Sequence, residues 1–177
     1  MDDKLFEIAT LLLPSAIVFA TAYFLIKKFL DQEYQKKLLE LRREAQKDIL
    51  PIRLQAYERI TLLLERIAPN NLVMRVYDKN KNFNAQKFQE ELLKTIRTEF
   101  DHNLSQQIYI SQNTWTLVKN AKESIIKLVN MASIKITDGA PAIELSKLML
   151  QMVAEAKELP TDIALKQLKE EVKTLFR

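Results

Sequence analysis

The sequence predicts an all-α chain: an N-terminal transmembrane helix running into a long stalk helix, followed by a cytoplasmic helical bundle. Three observations carry this. A single glycine, Gly139, and only five prolines in 177 residues leave too few tight turns for a sheet architecture, whereas abundant Leu, Lys, Glu, Gln and Ala favour helices. Ile8 to Ile26, IATLLLPSAIVFATAYFLI, holds no charged residue and at about 1.5 Å per residue just covers a hydrocarbon core of about 30 Å. Behind it, apolar residues recur at helical spacing almost to the C-terminus. The expected divisions are an anchor over 1–28, a charged amphipathic stalk over 29–50 and the bundle over 51–177, the last two together long enough to bury an ordinary core.

For the first element a cleaved signal peptide is the competing reading, since Ala20-Thr21-Ala22 has the form of a cleavage site. The leading Met-Asp-Asp-Lys is not net positive, however, and the apolar run continues through Tyr23 to Ile26 past the supposed cut. Lys4 is the sole basic residue ahead of the segment, while Lys27, Lys28, Lys36, Lys37, Arg42 and Arg43 follow it. That asymmetry puts the N-terminus outside and the rest in the cytoplasm, with the lipid bilayer around residues 8–26. Pro14 removes the helix bond to the carbonyl of Thr10 and bends the span slightly. Ala16 and Ala20 form a small-residue pair that would seat a second membrane helix.

In the stalk, Tyr34, Leu38, Leu41, Ala45, Ile49, Ile52, Ala56, Ile60, Leu63 and Ile67 are spaced 4-3-4-4-3-4-4-3-4. This eleven-residue period keeps one apolar face aligned along a nearly straight helix. The phase runs unbroken through Pro51, although proline disfavours helix at Leu50 and costs about 3 kcal/mol inside a helix. Phase and proline chemistry pull apart; a long helix kinked at Pro51 is expected, with a hinge as the alternative. From Ile52 to Ile67 apolar residues occupy nearly every face, the mark of a central helix. Arg53, Glu58, Arg59, Glu65 and Arg66 therefore lie close to packed surface, either as intramolecular ion pairs or as a partner-facing charged set.

Pro69-Asn70-Asn71 breaks the chain before LVMRVY, and Asp78 to Asn82 is a loop by composition. Asn84 is placed to cap a helix bearing Phe88, Leu92, Ile96, Phe100, Leu104 and Ile108. Steps of four swing that stripe by about 200°, so the helix must end near Asp101 to Asn103 or be covered on two sides. Ser111 caps the next helix, with Trp115, Val118, Ile125, Val129, Ala132 and Ile136 in coiled-coil-like alternation and Lys122 as the exception. Pro141 opens a helix bearing Leu145, Leu148, Met149, Met152 and Ala156, the methionines serving as core filler. Pro160-Thr161-Asp162 caps the last helix, with Leu168, Val172, Leu175 and Phe176 inward.

Chemistry is scarce. The absence of cysteine excludes disulfides, a zinc ribbon and thiol catalysis, and one glycine cannot build a phosphate-binding loop, a dinucleotide fingerprint or a nucleophile elbow. His102 in Glu99-Phe100-Asp101-His102 matches half of a di-iron ligand set, which needs two such pairs. Glu90-Glu91 and Glu170-Glu171 point apart on a helix and read as surface charges. The most polar uncommitted stretch, Asp101 to Asn113, either satisfies two helix ends or forms a recognition loop, with His102, Asn103, Gln106 and Gln107 as candidate contacts beside Arg53, Glu58, Arg59 and Arg66. No catalytic, metal or cofactor residue is expected.

Leu50 to Asn71, LPIRLQAYERITLLLERIAPNN, and Glu99 to Ser111, EFDHNLSQQIYIS, behind one N-terminal span, resemble an uncharacterised family of single-span, helical-domain inner-membrane proteins of Bacteroidota. The resemblance covers most of the chain and implies a bacterial inner membrane with no known activity. The layout also looks like the b subunit of rotary ATP synthases, from which Pro51, the break at Pro69 and the clustered aromatics depart.

The function expected from all this is a non-enzymatic adaptor or accessory subunit that binds a protein partner, or a second copy of itself, at the inner membrane. The alternative is a membrane-tethered ribosome or nucleic-acid binder using Lys36, Lys37, Arg42, Arg43 and Lys47. Its field is mostly cancelled by Glu40, Glu44 and Asp48, and 27 basic against 23 acidic residues is a mild excess.

Overall fold

The computed structural model describes residues 2–79 and 82–176, with side chains from Pro14 onward except at Ala45 and Lys79. Six α-helices follow one another: α1 (Asp2–Ile67), α2 (Pro69–Lys79), α3 (Ala85–His102), α4 (Gln112–Ile134), α5 (Ala142–Ala154) and α6 (Pro160–Thr174), with a 3₁₀ segment, Leu104–Ile108, between α3 and α4. The all-helical expectation holds, and the helices form a bundle. By internal contacts the chain divides into two units, Met1–Leu50 and Pro51–Arg177. The helical hydrogen bonding of α1 runs through Pro51.

In the first unit, from Pro14 to Ile49, every described residue of α1 is exposed except Leu38, which is half-buried. Ala16 and Ala20, the pair expected to seat another helix, are among the exposed residues. No helix among the described residues is long and apolar enough to cross a membrane, which corrects the expected single-pass, inner-membrane placement with lipid around residues 8–26. The side chains that the structure describes cover only the part of that segment from Pro14 to Ile26, ahead of Lys27 and Lys28, about 20 Å of helix against a core of about 30 Å. Ile8 to Leu13, the front of the expected span, have side chains outside the described residues.

The second unit has one core. The end of α1 supplies Ala56, Tyr57, Ile60, Leu63, Leu64 and Ile67, all buried, where apolar residues fall on nearly every face. Helix α4 packs against α3, α5 and α6, and α5 packs against α2 and α3 as well. Of the expected alternation α4 buries Trp115, Val118, Ile125, Val129 and Ala132, with Ala121 completing the seam, while Ile136 lies beyond the helix end and is half-buried. Lys122 departs from the alternation because its ammonium lies 4.4 Å from the ring centroid of Phe100, which itself stacks on Trp115 at 5.3 Å. A cation over a ring face lets the aliphatic stem cover the core while the charge stays favourable.

Local chemistry sets the helix ends. The Asn84 side chain accepts from the Lys87 amide at 2.9 Å and Ser111 from the Thr114 amide at 3.2 Å, as expected of N-caps. Helix α3 ends at His102, before the drift of its stripe would carry Leu104 and Ile108 off the core. Elsewhere expectation and structure part. Helix α2 continues through Asp78 and Lys79, and Asn80 and Lys81 lie outside the described residues. Pro141 is the N-cap of α5 rather than its first residue. Its turn is fixed by a two-bond backbone bridge, Ala85 N–H to Ala140 O at 2.8 Å and Ala142 N–H to Phe83 O at 3.0 Å, reached through Gly139 at φ +79°, where glycine avoids a Cβ clash. Leu159, not Pro160 to Asp162, is the N-cap of α6, and Phe176, expected inward, is 65 % exposed because it lies beyond the helix end.

Candidate protein-interaction site

The α3-to-α4 connection begins with Asn103, which is buried and closes α3 twice. Its amide donates to Phe100 O at 3.0 Å and its side-chain nitrogen to Glu99 O at 2.8 Å, so orphan carbonyls at the helix end are met without water. The chain then tightens into the 3₁₀ segment, with Gln106 N–H on Asn103 O at 3.1 Å and Tyr109 N–H on Gln106 O at 3.0 Å. Gln106 turns inward and donates to Ser105 Oγ at 3.2 Å. With Asn103 and Gln106 inside, His102, Leu104, Gln107 and Ile108 face solvent; Leu104 is 44 % and Ile108 76 % exposed.

Two long-range contacts fix the far side of this segment. Half-buried Arg53 donates through Nε to Tyr109 O at 3.3 Å and through Nη2 to the Tyr57 hydroxyl at 2.8 Å, its guanidinium 5.8 Å from the Tyr57 ring centroid. Tyr57 in turn donates to Glu171 Oε1 at 2.9 Å. That carboxylate also accepts from the Ser111 amide at 2.7 Å, the Ser111 hydroxyl at 2.6 Å and the Thr114 hydroxyl. Glu171, on α6, thus caps the N-terminus of α4, where the helix dipole favours an anion. Burial pushes its carboxyl up, but the Ser111 and Thr114 bonds outweigh that and hold it below the ordinary value. Burial, and then the bond to Glu171, raise the Tyr57 phenol above its ordinary value. A carboxylate with four donors on two oxygens is held ionised with little basicity left. The arrangement clamps; it does not present a base.

Arg53, His102, Asn103, Gln106 and Gln107 therefore share one neighbourhood. Of the other candidates, Glu58 and Arg59 are exposed on α1, and Arg66 reaches this neighbourhood only through Glu99, pairing at 3.2 Å with the carboxylate that also holds Arg75 at 2.9 Å while the Glu99 carbonyl accepts from Asn103. Sequence reasoning missed Glu171, Thr114 and the hydroxyl of Tyr57. Glu171 was visible only as half of an acidic pair, though it adjoins Leu168 and Val172 at the border of an apolar face. An open groove of about 590 Å³ between Thr61 and Glu65 of α1 and Asp162 to Lys173 of α6 mixes both signs of charge and includes, of the expected charged set, only Glu65. Among the described residues no group of His, Asp and Glu is placed to hold a metal ion.

Comparison with known proteins adds one relationship. The pattern of a family described as "Family of unknown function (DUF7935)" matches residues 3–175. No curated protein and no solved structure matches the chain.

Proposed function

Because the chain belongs to DUF7935, a family of unknown function, we propose its role from geometry: it is a non-enzymatic adaptor that binds a protein partner through the 3₁₀ segment between α3 and α4. The carrying observation is that Leu104 and Ile108 are held in water on a backbone secured from within by Asn103, Arg53 and Glu171. Exposed aliphatic groups on a loop that could turn them inward would be unremarkable; on a clamped segment they are a prepared contact. Covering the exposed part of Ile108 contributes about 1–2 kcal/mol. Little ordering entropy opposes binding, since folding has already immobilised the segment. The partner that fits is an apolar concavity rimmed by polar groups able to meet His102 and Gln107.

The test compares wild type and Ile108→Asp, each recovered with its companions by crosslinking and mild purification. A companion in stoichiometric amount should accompany wild type and be lost from the variant, while urea unfolding of the variant shifts by less than about 0.5 kcal/mol because the site is exposed. Equal recovery of the companion from both proteins would remove the segment from the interface.

A further inference from the structure

We infer that the first unit pairs with a second copy of this chain, the two α1 helices lying parallel and in register along the face that carries Phe19, Tyr23, Ile26, Leu30, Tyr34, Leu38, Leu41 and Ile49. This surface is separate from the 3₁₀ segment, so either proposal can fail alone. Apart from half-buried Leu38, each of these side chains is more than half exposed, from Ile49 at 51 % to Phe19 at 75 %. A lone helix cannot hold such a face in water, since helices draw most of their stability from packing that face.

Area and charge both point to a second copy. The exposed parts of these side chains amount to about 500 Å² per helix, on the order of 1,000 Å² for a pair, the scale at which specific interfaces begin. The stripe advances by eleven residues in three turns, from Phe19 to Leu30 to Leu41, from Tyr23 to Tyr34 and from Leu38 to Ile49, so two nearly straight helices stay in contact along it. On that lattice Asp31 and Arg42 occupy one shoulder of the stripe and Glu33, Lys37, Glu44 and Asp48 the other, all six exposed. In a parallel, in-register pair each shoulder faces the opposite shoulder of the second copy. Asp31 then approaches Lys37 and Arg42 approaches Glu44 and Asp48, against two like-charged approaches, Asp31 with Glu33 and Lys37 with Arg42. In an antiparallel pair like shoulders meet, and the Asp31–Arg42 and Lys37–Asp48 contacts centre six residues apart, so no single register makes both.

The chain has no cysteine, which lets single introduced thiols report the geometry directly. Full-length Leu41→Cys, on the stripe, should oxidise to a covalent dimer. Arg43→Cys, on the opposite side of the helix, should not. Sedimentation should give twice the chain mass, Asp48→Arg should raise the dissociation constant about three- to tenfold, and Asp48→Arg with Arg42→Asp should restore it. A monomeric mass, a single chain carrying bound detergent or lipid, or equal crosslinking at positions 41 and 43 would overturn the proposal. Circular dichroism on each variant verifies that helix content is retained, so a lost dimer is not mistaken for a lost fold.

Discussion

Glu171 ties three parts of the second unit together, because donors from α1, from the α4 cap and from the first turn of α4 end on its two oxygens. In Glu171→Gln an amide nitrogen stands where an oxygen accepted, so at least one donor is left facing another; a loss of about 2 kcal/mol in urea unfolding is expected. The pH dependence has a definite sign. With its folded pKa below the unfolded value, Glu171 contributes stability that is fully present above the ordinary carboxylate value of about 4.3 and lost as pH falls through the folded one. The gap between wild type and Glu171→Gln should therefore narrow on acidification below about pH 4. Tyr57 behaves in the opposite sense: its raised phenol contributes below the ordinary tyrosine value and loses that contribution as pH rises through the folded one. Arg53 was legible as a site residue because it borders a helix that is apolar nearly all round. Glu171 was not, since nothing within four residues of it announces a partner 60 residues away.

At the level of elements, the caps at Asn84 and Ser111 and the end of α3 were readable because each depends on a bond or a rotation spanning three or four residues. The start of α6 was misread for a related reason. Pro160 does sit at the first turn, but Leu159 is the capping residue, and Thr161, within the run expected to cap, is fully buried with no hydrogen-bond partner for Oγ1. A buried hydroxyl without a partner costs about 1–3 kcal/mol, whereas a methyl of the same shape costs nothing comparable. Thr161→Val should accordingly raise the thermal midpoint, corresponding to a gain of about 1 kcal/mol. A lowered midpoint would mean that the hydroxyl is satisfied in solution.

For the whole molecule, the buried core from Ala56 to Leu168 lies entirely within Pro51–Arg177. Residues 51–177 alone are expected to unfold in a single cooperative step, since Pro51 is an acceptable first helical residue and the core is severed nowhere. Trp115 is the sole tryptophan, buried and stacked on Phe100. Its fluorescence and the far-ultraviolet dichroism should give coincident urea transitions. Separate transitions, or a gradual loss of dichroism, would show that the second unit needs residues before Pro51.

By itself the sequence determined the all-helical class, the caps at Asn84 and Ser111 and most of the faces the helices bury, because those follow from side-chain spacing along a repeat of 3.6 residues and from bonds to amides two or three positions away. Only the tertiary structure decided which groups meet across the fold. It brought Arg53 to Tyr109 and Glu171 to Ser111, over separations of 56 and 60 residues. It turned Asn103 and Gln106 inward and left Ile108 outside. Such choices depend on how complete helix faces close around one core, a property of all the elements together that no local window of sequence contains.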